Sequence, residues 1–439
     1  MLYRFLKILI GFGIRLYYKK IHINHIENLQ NDGPRILIAN HPNTLMDAWI
    51  LGQICKEPIY FMTKGTFFSN KLKSVFLRSL GLIPINRATE AKTNGVDNKS
   101  SFESCYQLLE EGKTLVIFPE GNSFPERILR QLKTGTARIA LEAEHRNKGK
   151  LNLKIIPIGL VYLQPEKFRS SVVANIGQAI PHLKYLKDFE DDNGKTSKKL
   201  TNDFKESMEA LLIGSHAVEF EKLTDGIVEL LSSRYIKSNL KGVEKDVDLY
   251  KEIYDKINRI IVASPTKMKR IEYIFNKIEL QLHQLEIQAD FLDRKYRPMM
   301  FYRQMIQSTI LIFLGLPLFI YGFIHSILPF KLTDILVPKI VKDIEYYAPV
   351  AVLLGLVFYP FTYVSFLYLT DSIFHFTFWE EVAYFTSMPL MGMFAYYYYY
   401  YVKHVALKAH FIYMMNNEEE KVKSLQNDRE LLRKLIFED

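Results

Sequence analysis

Between Arg35 and Ile180, short apolar runs alternate with helix-favouring stretches, and this alternation restricts the fold more than any other feature of the chain. Ile36–Ala39, Ile59–Met62, Leu82–Ile85, Leu115–Phe118, Ile155–Tyr162 and Val172–Ile176 read as strands. Helical stretches separate them near Asp47–Ile54, Lys71–Leu80, Ser100–Glu110 and Thr136–Glu144. Strands alternating with helices of this length make an α/β layer with a largely parallel central sheet flanked by helices.

The rest of the chain divides by composition. Residues 1–30 open with Leu2, Phe5, Leu6, Ile8, Leu9, Ile10, Phe12 and Leu16 among Arg4, Lys7, Arg15, Lys19 and Lys20. That run is too charged and too short to span a bilayer and lacks a signal-peptide cleavage site. A basic amphipathic helix lying in the lipid interface suits it, with an ordinary packing helix as the alternative. The α/β domain then occupies 31–195. Residues 196–300 turn charged and helix-favouring, with Pro265 breaking the run, and read as a helical insertion or linker. Membrane segments follow at 301–415, and a charged cytoplasmic tail at 416–439.

Ala348–Leu369 and Val382–Tyr401 are each long and apolar enough to cross a hydrocarbon core. Thr309–Phe330 is also apolar, but Pro317 and Pro329 interrupt it. The connection Asp371–Glu381 holds no Lys or Arg, whereas Lys331, Lys339 and Lys342 precede the first span and Lys403 and Lys408 follow the second. Positive-inside reasoning makes the pair a hairpin with both ends cytoplasmic. Thr309–Phe330 is then re-entrant or interfacial, and three full spans are the alternative. The Tyr396–Tyr401 run suits an interfacial aromatic belt. An integral membrane protein with its α/β domain on the cytoplasmic face is expected.

The net charge of +9 fits anionic lipid or a phosphorylated substrate. It would also fit nucleic acid, but no zinc-finger spacing, recognition-helix pattern or RNA-binding signature accompanies it. Cys55 and Cys105, the only two cysteines, are too few for a disulfide framework or a cysteine zinc site, and point to a reducing compartment.

Four stretches carry candidate chemistry. Ala39-Asn40-His41-Pro42-Asn43-Thr44-Leu45-Met46-Asp47 joins a strand to a helix whose N-cap is Asn43 or Thr44. A histidine there, with a carboxylate a turn or two further on, suits a general base and its orienting partner. The bland alternative is a turn histidine and an aspartate favoured by the helix dipole. Gly81-Leu82-Ile83-Pro84-Ile85-Asn86-Arg87 ends a strand in arginine, and Phe118-Pro119-Glu120-Gly121-Asn122-Ser123 ends another in a glycine turn. Lys154-Ile155-Ile156-Pro157-Ile158-Gly159 places proline in a hydrophobic strand. His41, Arg87 and Glu120 all fall at carboxyl ends of strands, where open α/β sheets form their sites. A base, a cation able to grip phosphate through paired hydrogen bonds, and a carboxylate suit a phosphorylated alcohol.

In this order and spacing, the four stretches resemble the glycerolipid acyltransferase family, which includes glycerol-3-phosphate and lysophosphatidate acyltransferases. The resemblance covers Asn40 to Ile180, with Lys64 and Leu132-Lys133-Thr134-Gly135 adding to it. It implies membrane-bound transfer of an acyl chain from an acyl-CoA or acyl-carrier-protein thioester to a hydroxyl of a phosphorylated glycerol, without metal or redox cofactor. His41 would be the base and Asp47 its partner. Arg87 would bind phosphate, and Glu120, Gly121, Ser123 and Lys64 would belong to the substrate site. Two features depart from the family pattern. Five residues, Pro42 to Met46, separate His41 from Asp47 where four are usual, and Asn122 replaces the commonest threonine. Ser123 and Leu132-Lys133 resemble the branch acylating glycerol 3-phosphate or dihydroxyacetone phosphate.

Other motifs fail on their own chemistry. Gly112-Lys113-Thr114 has Gln107 where a phosphate loop needs glycine, and it joins helix to strand rather than strand to helix. Gly121-Asn122-Ser123 lacks the second glycine of a hydrolase elbow, since Pro125 stands there. His216, His283 and His375 have no ligand partners at metal-binding spacing. An acyltransferase and a non-catalytic scaffold retaining its fold are the two classes left, the second motivated by the altered His41–Asp47 spacing.

Overall fold

The structure, a computed structural model, describes residues 2–29, 33–85, 98–213, 220–235, 244–292 and 296–438. Its contacts divide the chain into two units, 1–213 with 341–352, and 214–340 with 353–439.

The first unit contains α1 (Leu2–Tyr17), β1 (Lys20–Asn24), β2 (Arg35–Ala39), α2 (Leu45–Ile54), β3 (Ile59–Lys64), α3 (Lys71–Ser79) and β4 (Leu82–Ile85). It continues with α4 (Asn98–Glu110), β5 (Thr114–Ile117), α5 (Gly135–Arg146), β6 (Lys154–Tyr162), β7 (Ser171–Ile176), α6 (Leu186–Asp191) and α7 (Asn193–Glu209). The strands form one sheet in the order β1-β7-β6-β2-β5-β3-β4. β2 and β5, at its centre, are buried at every position. Their Ile, Leu and Val side chains are packed from both faces, which is why they read as unbroken apolar runs. All pairings are parallel except β6 with β7. The carboxyl ends of β2, β3, β4, β5 and β6 therefore share one edge of the sheet.

Two expectations are corrected here. Residues 1–30 are not one interfacial helix: α1 ends at Tyr17, and Lys20–Asn24 joins the sheet as an edge strand. Its alternating Lys, Ile, His, Ile, Asn leaves it half-buried and gives it little apolar signal. α1 lays Gly11, Gly13, Ile14 and Tyr17 inward and turns Leu2, Phe5, Ile8, Phe12 and Leu16 outward. The α/β unit also extends past 195 to Ile213, because Leu200, Phe204 and Met208 of α7 are fully buried in its core.

Cys55 is half-buried and Cys105 buried. Burial pushes the Cys55 thiol up to about 11 and the Cys105 thiol up to about 12. The thiolate is the reactive form, so both should resist maleimides and iodoacetamide at neutral pH. Alkylation of Cys55 in the folded chain should quicken about tenfold per pH unit up to about 11. Mass spectrometry after timed labelling measures it, and rapid modification at pH 7 would contradict it.

The second unit contains α8 (Glu221–Tyr235), α9 (Glu244–Ala263), α10 (Pro265–Leu285), α11 (Pro298–Ile340), α12 (Tyr347–Phe374) from residue 353 onward, α13 (Phe378–Asn417) and α14 (Glu419–Phe437). Pro265 does separate two helices: it occupies the first turn of α10, where Ser264 caps Lys267 N–H. The charged tail expected at 416–439 is the helix α14. α14 packs against α10 with Val422, Leu425, Leu432 and Ile436 buried, and the Arg429 guanidinium donates to Leu230 O at 2.8 Å.

Thr309–Phe330 is not interrupted. α11 runs continuously through Pro317 and Pro329. α11 and the stretch Ile344–Phe374 have the length and apolar composition to cross a membrane. Val382–Tyr401 lies within α13, outside those two stretches. α13 packs along α11 so closely that a side chain at Gly322 would strike Met391 O. Of the tyrosine run, Tyr398 is buried, donating to Ile312 O at 2.6 Å, while Tyr397, Tyr399 and Tyr400 face outward.

Candidate functional site

The site grows from the end of β2. Asn40 continues the strand with its side chain, donating to Leu160 O at 2.9 Å and accepting from Leu160 N–H at 2.7 Å on β6. This clamp fixes the direction in which the chain leaves the sheet, and the next residue is His41. Thr44 then turns through positive φ (44°), which places α2 and brings Asp47 back beneath the ring. His41 Nδ1 lies 2.9 Å from Asp47 Oδ2. The residue extra to the family spacing is thus absorbed in the turn before the helix. Neither Asn43 nor Thr44 caps α2 with its side chain. The Asp47 carboxylate itself accepts Asn43 N–H at 2.8 Å.

Asp47 is fully buried and receives a third hydrogen bond, from Tyr162 Oη at 2.6 Å. Burial next to that carboxylate holds the Tyr162 phenol well above its ordinary range, so it stays a donor. A carboxylate so placed only accepts, so His41 Nδ1 carries the proton and Nε2 presents its lone pair. The imidazole stacks on Phe118 with centroids 3.9 Å apart and planes 9° apart, which holds its orientation. Its side chain remains 20% exposed, enough for a reactant to reach it.

The glycine turn after β5 closes over this histidine. Glu120 accepts His41 N–H at 3.0 Å through Oε1 and Arg130 N–H at 3.1 Å through Oε2. Burial raises its carboxyl above the usual range, against the lowering effect of those two amide bonds. Gly121 takes φ 76°, and a side chain there would collide with Lys133. Ser123 donates to His41 O at 2.8 Å and accepts Thr44 N–H at 3.2 Å. Glu120, through Oε1, and Ser123, both expected among the substrate contacts, hydrogen-bond to the His41 turn.

His41, Asp47, Glu120, Gly121 and Ser123 are brought together. Lys64 ends β3 in register with Ile85, on the same sheet edge. Arg87 lies outside the described residues. Tyr162, Asn40, and Tyr18, whose hydroxyl accepts Asn43 Nδ2 at 3.1 Å, were not expected at the site. Tyr162 ends the strand with the proline motif, but strand periodicity does not say which tyrosine meets a carboxylate 115 positions away. Among the described residues, no group of three His, Cys, Asp or Glu is placed to hold a metal.

Residues 20–161 match the Acyltransferase family model. The chain is 35% identical over 91 residues to glycerol-3-phosphate O-acyltransferase 1 of Saccharomyces cerevisiae, covering 21% of this chain and 12% of that protein. It is 25% identical over 154 residues to the chloroplastic 1-acyl-sn-glycerol-3-phosphate acyltransferase LPAT1 of Arabidopsis thaliana, covering 34% and 38%. The crystal structure of the 1-acyl-sn-glycerophosphate acyltransferase PlsC from Thermotoga maritima aligns with a TM-score of 0.34 at 20% identity, over 47% of this chain and 79% of that one. The matched region therefore spans well under half the length of these curated relatives.

Proposed function

Because residues 20–161 are an acyltransferase domain of the glycerolipid acyltransferase family, we propose that this chain acylates a phosphorylated glycerol in phospholipid biosynthesis. The acyl donor is an acyl-CoA or acyl-carrier-protein thioester, and the acceptor a hydroxyl of glycerol 3-phosphate or lysophosphatidate. One observation carries the reading: His41 Nδ1 donates to a fully buried Asp47 that two further donors hold in place. His41 Nε2 takes the proton of the acceptor hydroxyl as its oxygen attacks the thioester carbonyl. When the tetrahedral species collapses, the carbon–sulfur bond breaks and the leaving thiolate takes that proton from the imidazolium. Asp47 stabilises the transient imidazolium, and no covalent enzyme intermediate or metal is needed. Glu120 and Ser123 act as positioning residues for the His41 turn. The scaffold reading loses its motive, since the altered spacing does not part His41 from Asp47.

The lipid bilayer is the proposed surrounding of α11 and Ile344–Phe374, whose apolar side chains such as Phe313, Leu314 and Phe361 face outward. We assign the acyltransferase unit to the cytoplasmic face, with Ala348–Leu369 and Val382–Tyr401 crossing as a hairpin around Asp371–Glu381, which lacks basic residues, and α11 not crossing fully.

The test is a vesicle-reconstituted chain given labelled acyl-CoA or acyl-carrier protein with each acceptor in turn, including dihydroxyacetone phosphate. Ester product with a phosphorylated glycerol is the expected result. No product with any pairing, from folded protein, would overturn the proposal. In the same assay Arg87→Lys should lower kcat/KM for the phosphorylated acceptor about ten- to a hundredfold, because lysine keeps the charge and loses the paired geometry. The KM for the thioester should barely change. An equal loss with unphosphorylated glycerol would make Arg87 structural.

A further inference from the structure

The helix connecting two neighbouring parallel strands normally buries its apolar face on the sheet. α3, between β3 and β4, does the reverse. Leu72, Val75 and Phe76 recur at helical spacing on one face and are 85%, 70% and 48% exposed. Ser74 and Leu77, on the opposite side of the helix, are the half-buried positions, and α3 packs on β4 and the turn Gly65–Phe68 from that side. Among the described residues, α3 has no buried side chain. Phe67, in the preceding turn, adds another exposed ring at 56%.

Charge marks what this face meets. Lys71 and Arg78 flank the apolar stripe on one side and Lys73 on the other, all three exposed. No aspartate or glutamate occurs from Pro58 to Thr89. An outward apolar stripe edged by basic side chains, with no acid in the flanking sequence, is the pattern of a helix lying in an anionic lipid interface. A protein partner would leave the basic rim unexplained without acidic groups of its own, whereas phosphate headgroups above acyl chains match rim and stripe together.

We propose that α3 docks on the surface of an anionic lipid bilayer through Leu72, Val75 and Phe76. This adds a contact independent of α11 and Ile344–Phe374, and it rests on the bilayer proposed above as the surrounding. β3 ends at Lys64 on the same sheet edge as His41, and α3 follows seven residues later. The contact therefore holds the rim of the candidate site at the surface where amphiphilic substrates reside.

The test places an environment-sensitive fluorophore on V75C, K73C or F361C in the full-length chain, reconstituted into phosphatidylcholine vesicles with or without phosphatidylglycerol. The unsubstituted chain gives the blank for Cys55 and Cys105. In anionic vesicles, V75C should be quenched by lipids spin-labelled near the headgroup and shielded from aqueous iodide, with K73C the reverse. Lys71→Gln in the V75C chain should weaken docking about fivefold, the contribution of one basic residue at an anionic surface. F361C, on α12, reports the spans separately through quenchers deep in the acyl region. If V75C is as open to iodide as K73C, α3 does not dock, whatever F361C shows. Shielding of V75C without lipid quenching would mean that protein covers it, and would also overturn the proposal. Lipid quenching at V75C alone would keep the docking and remove the spans.

Discussion

His41→Ala is expected to lower acyl transfer by about a hundred- to ten-thousandfold, the usual contribution of a positioned general base. The fall should appear in kcat and in kcat/KM alike, because the proton moves only in the transition state. His41 is partly exposed and lies at the end of β2 rather than in the core, so the variant should fold like the parent, with a stability loss of about 1–3 kcal/mol for the donor taken from buried Asp47. Its backbone N–H and carbonyl, not its ring, serve Glu120, Ser123 and Phe124, and alanine keeps them. Single-turnover assays on the purified variant decide the matter. Turnover within a few-fold of the parent would remove His41 from the chemistry.

Asp47→Asn should be nearly as severe, by about a thousand- to ten-thousandfold, for an electrostatic and a tautomeric reason. The charge facing the imidazolium disappears. An asparagine amide can also donate to Nδ1, which moves the ring proton to Nε2 and leaves no base toward the substrate. The site supplies a sharper check than the single variant. If Asp47 acts only through His41, adding Asp47→Asn to His41→Ala should change the residual rate little, because residues acting as a unit are not additive. A further loss of tenfold or more would give Asp47 a role apart from the histidine. Since Asp47 also accepts from Asn43 and Tyr162 inside the protein, some loss of stability should accompany the rate effect, of about 1–3 kcal/mol. The pH–rate profile separates the two, because a merely less stable enzyme keeps the parent's profile.

The division of labour between residue order and tertiary packing follows from the range of the interactions concerned. Strand and helix periods are local, so β2 through β7 and the helices between them were legible, as were the turns that carry His41 and Glu120 at strand ends. β1 was not, because an edge strand with alternating polar residues is held by β7, more than a hundred positions away. The helicity of α11 through Pro317 and Pro329 escaped for a similar reason: proline is a local signal, whereas α11 packs along α13, which lies far from it in sequence. Within the site, the sequence by itself determined that a histidine, a carboxylate and a glycine turn would meet at the carboxyl edge of a parallel sheet. Only the tertiary structure decided that five intervening residues still let His41 reach Asp47, through a positive-φ turn at Thr44 and the Asn40 clamp to β6. It also decided that Glu120 and Ser123 hold the histidine's backbone and that Tyr162 completes the aspartate. Hydrogen bonds between residues 79 to 120 positions apart depend on where whole strands lie, and no local pattern encodes that.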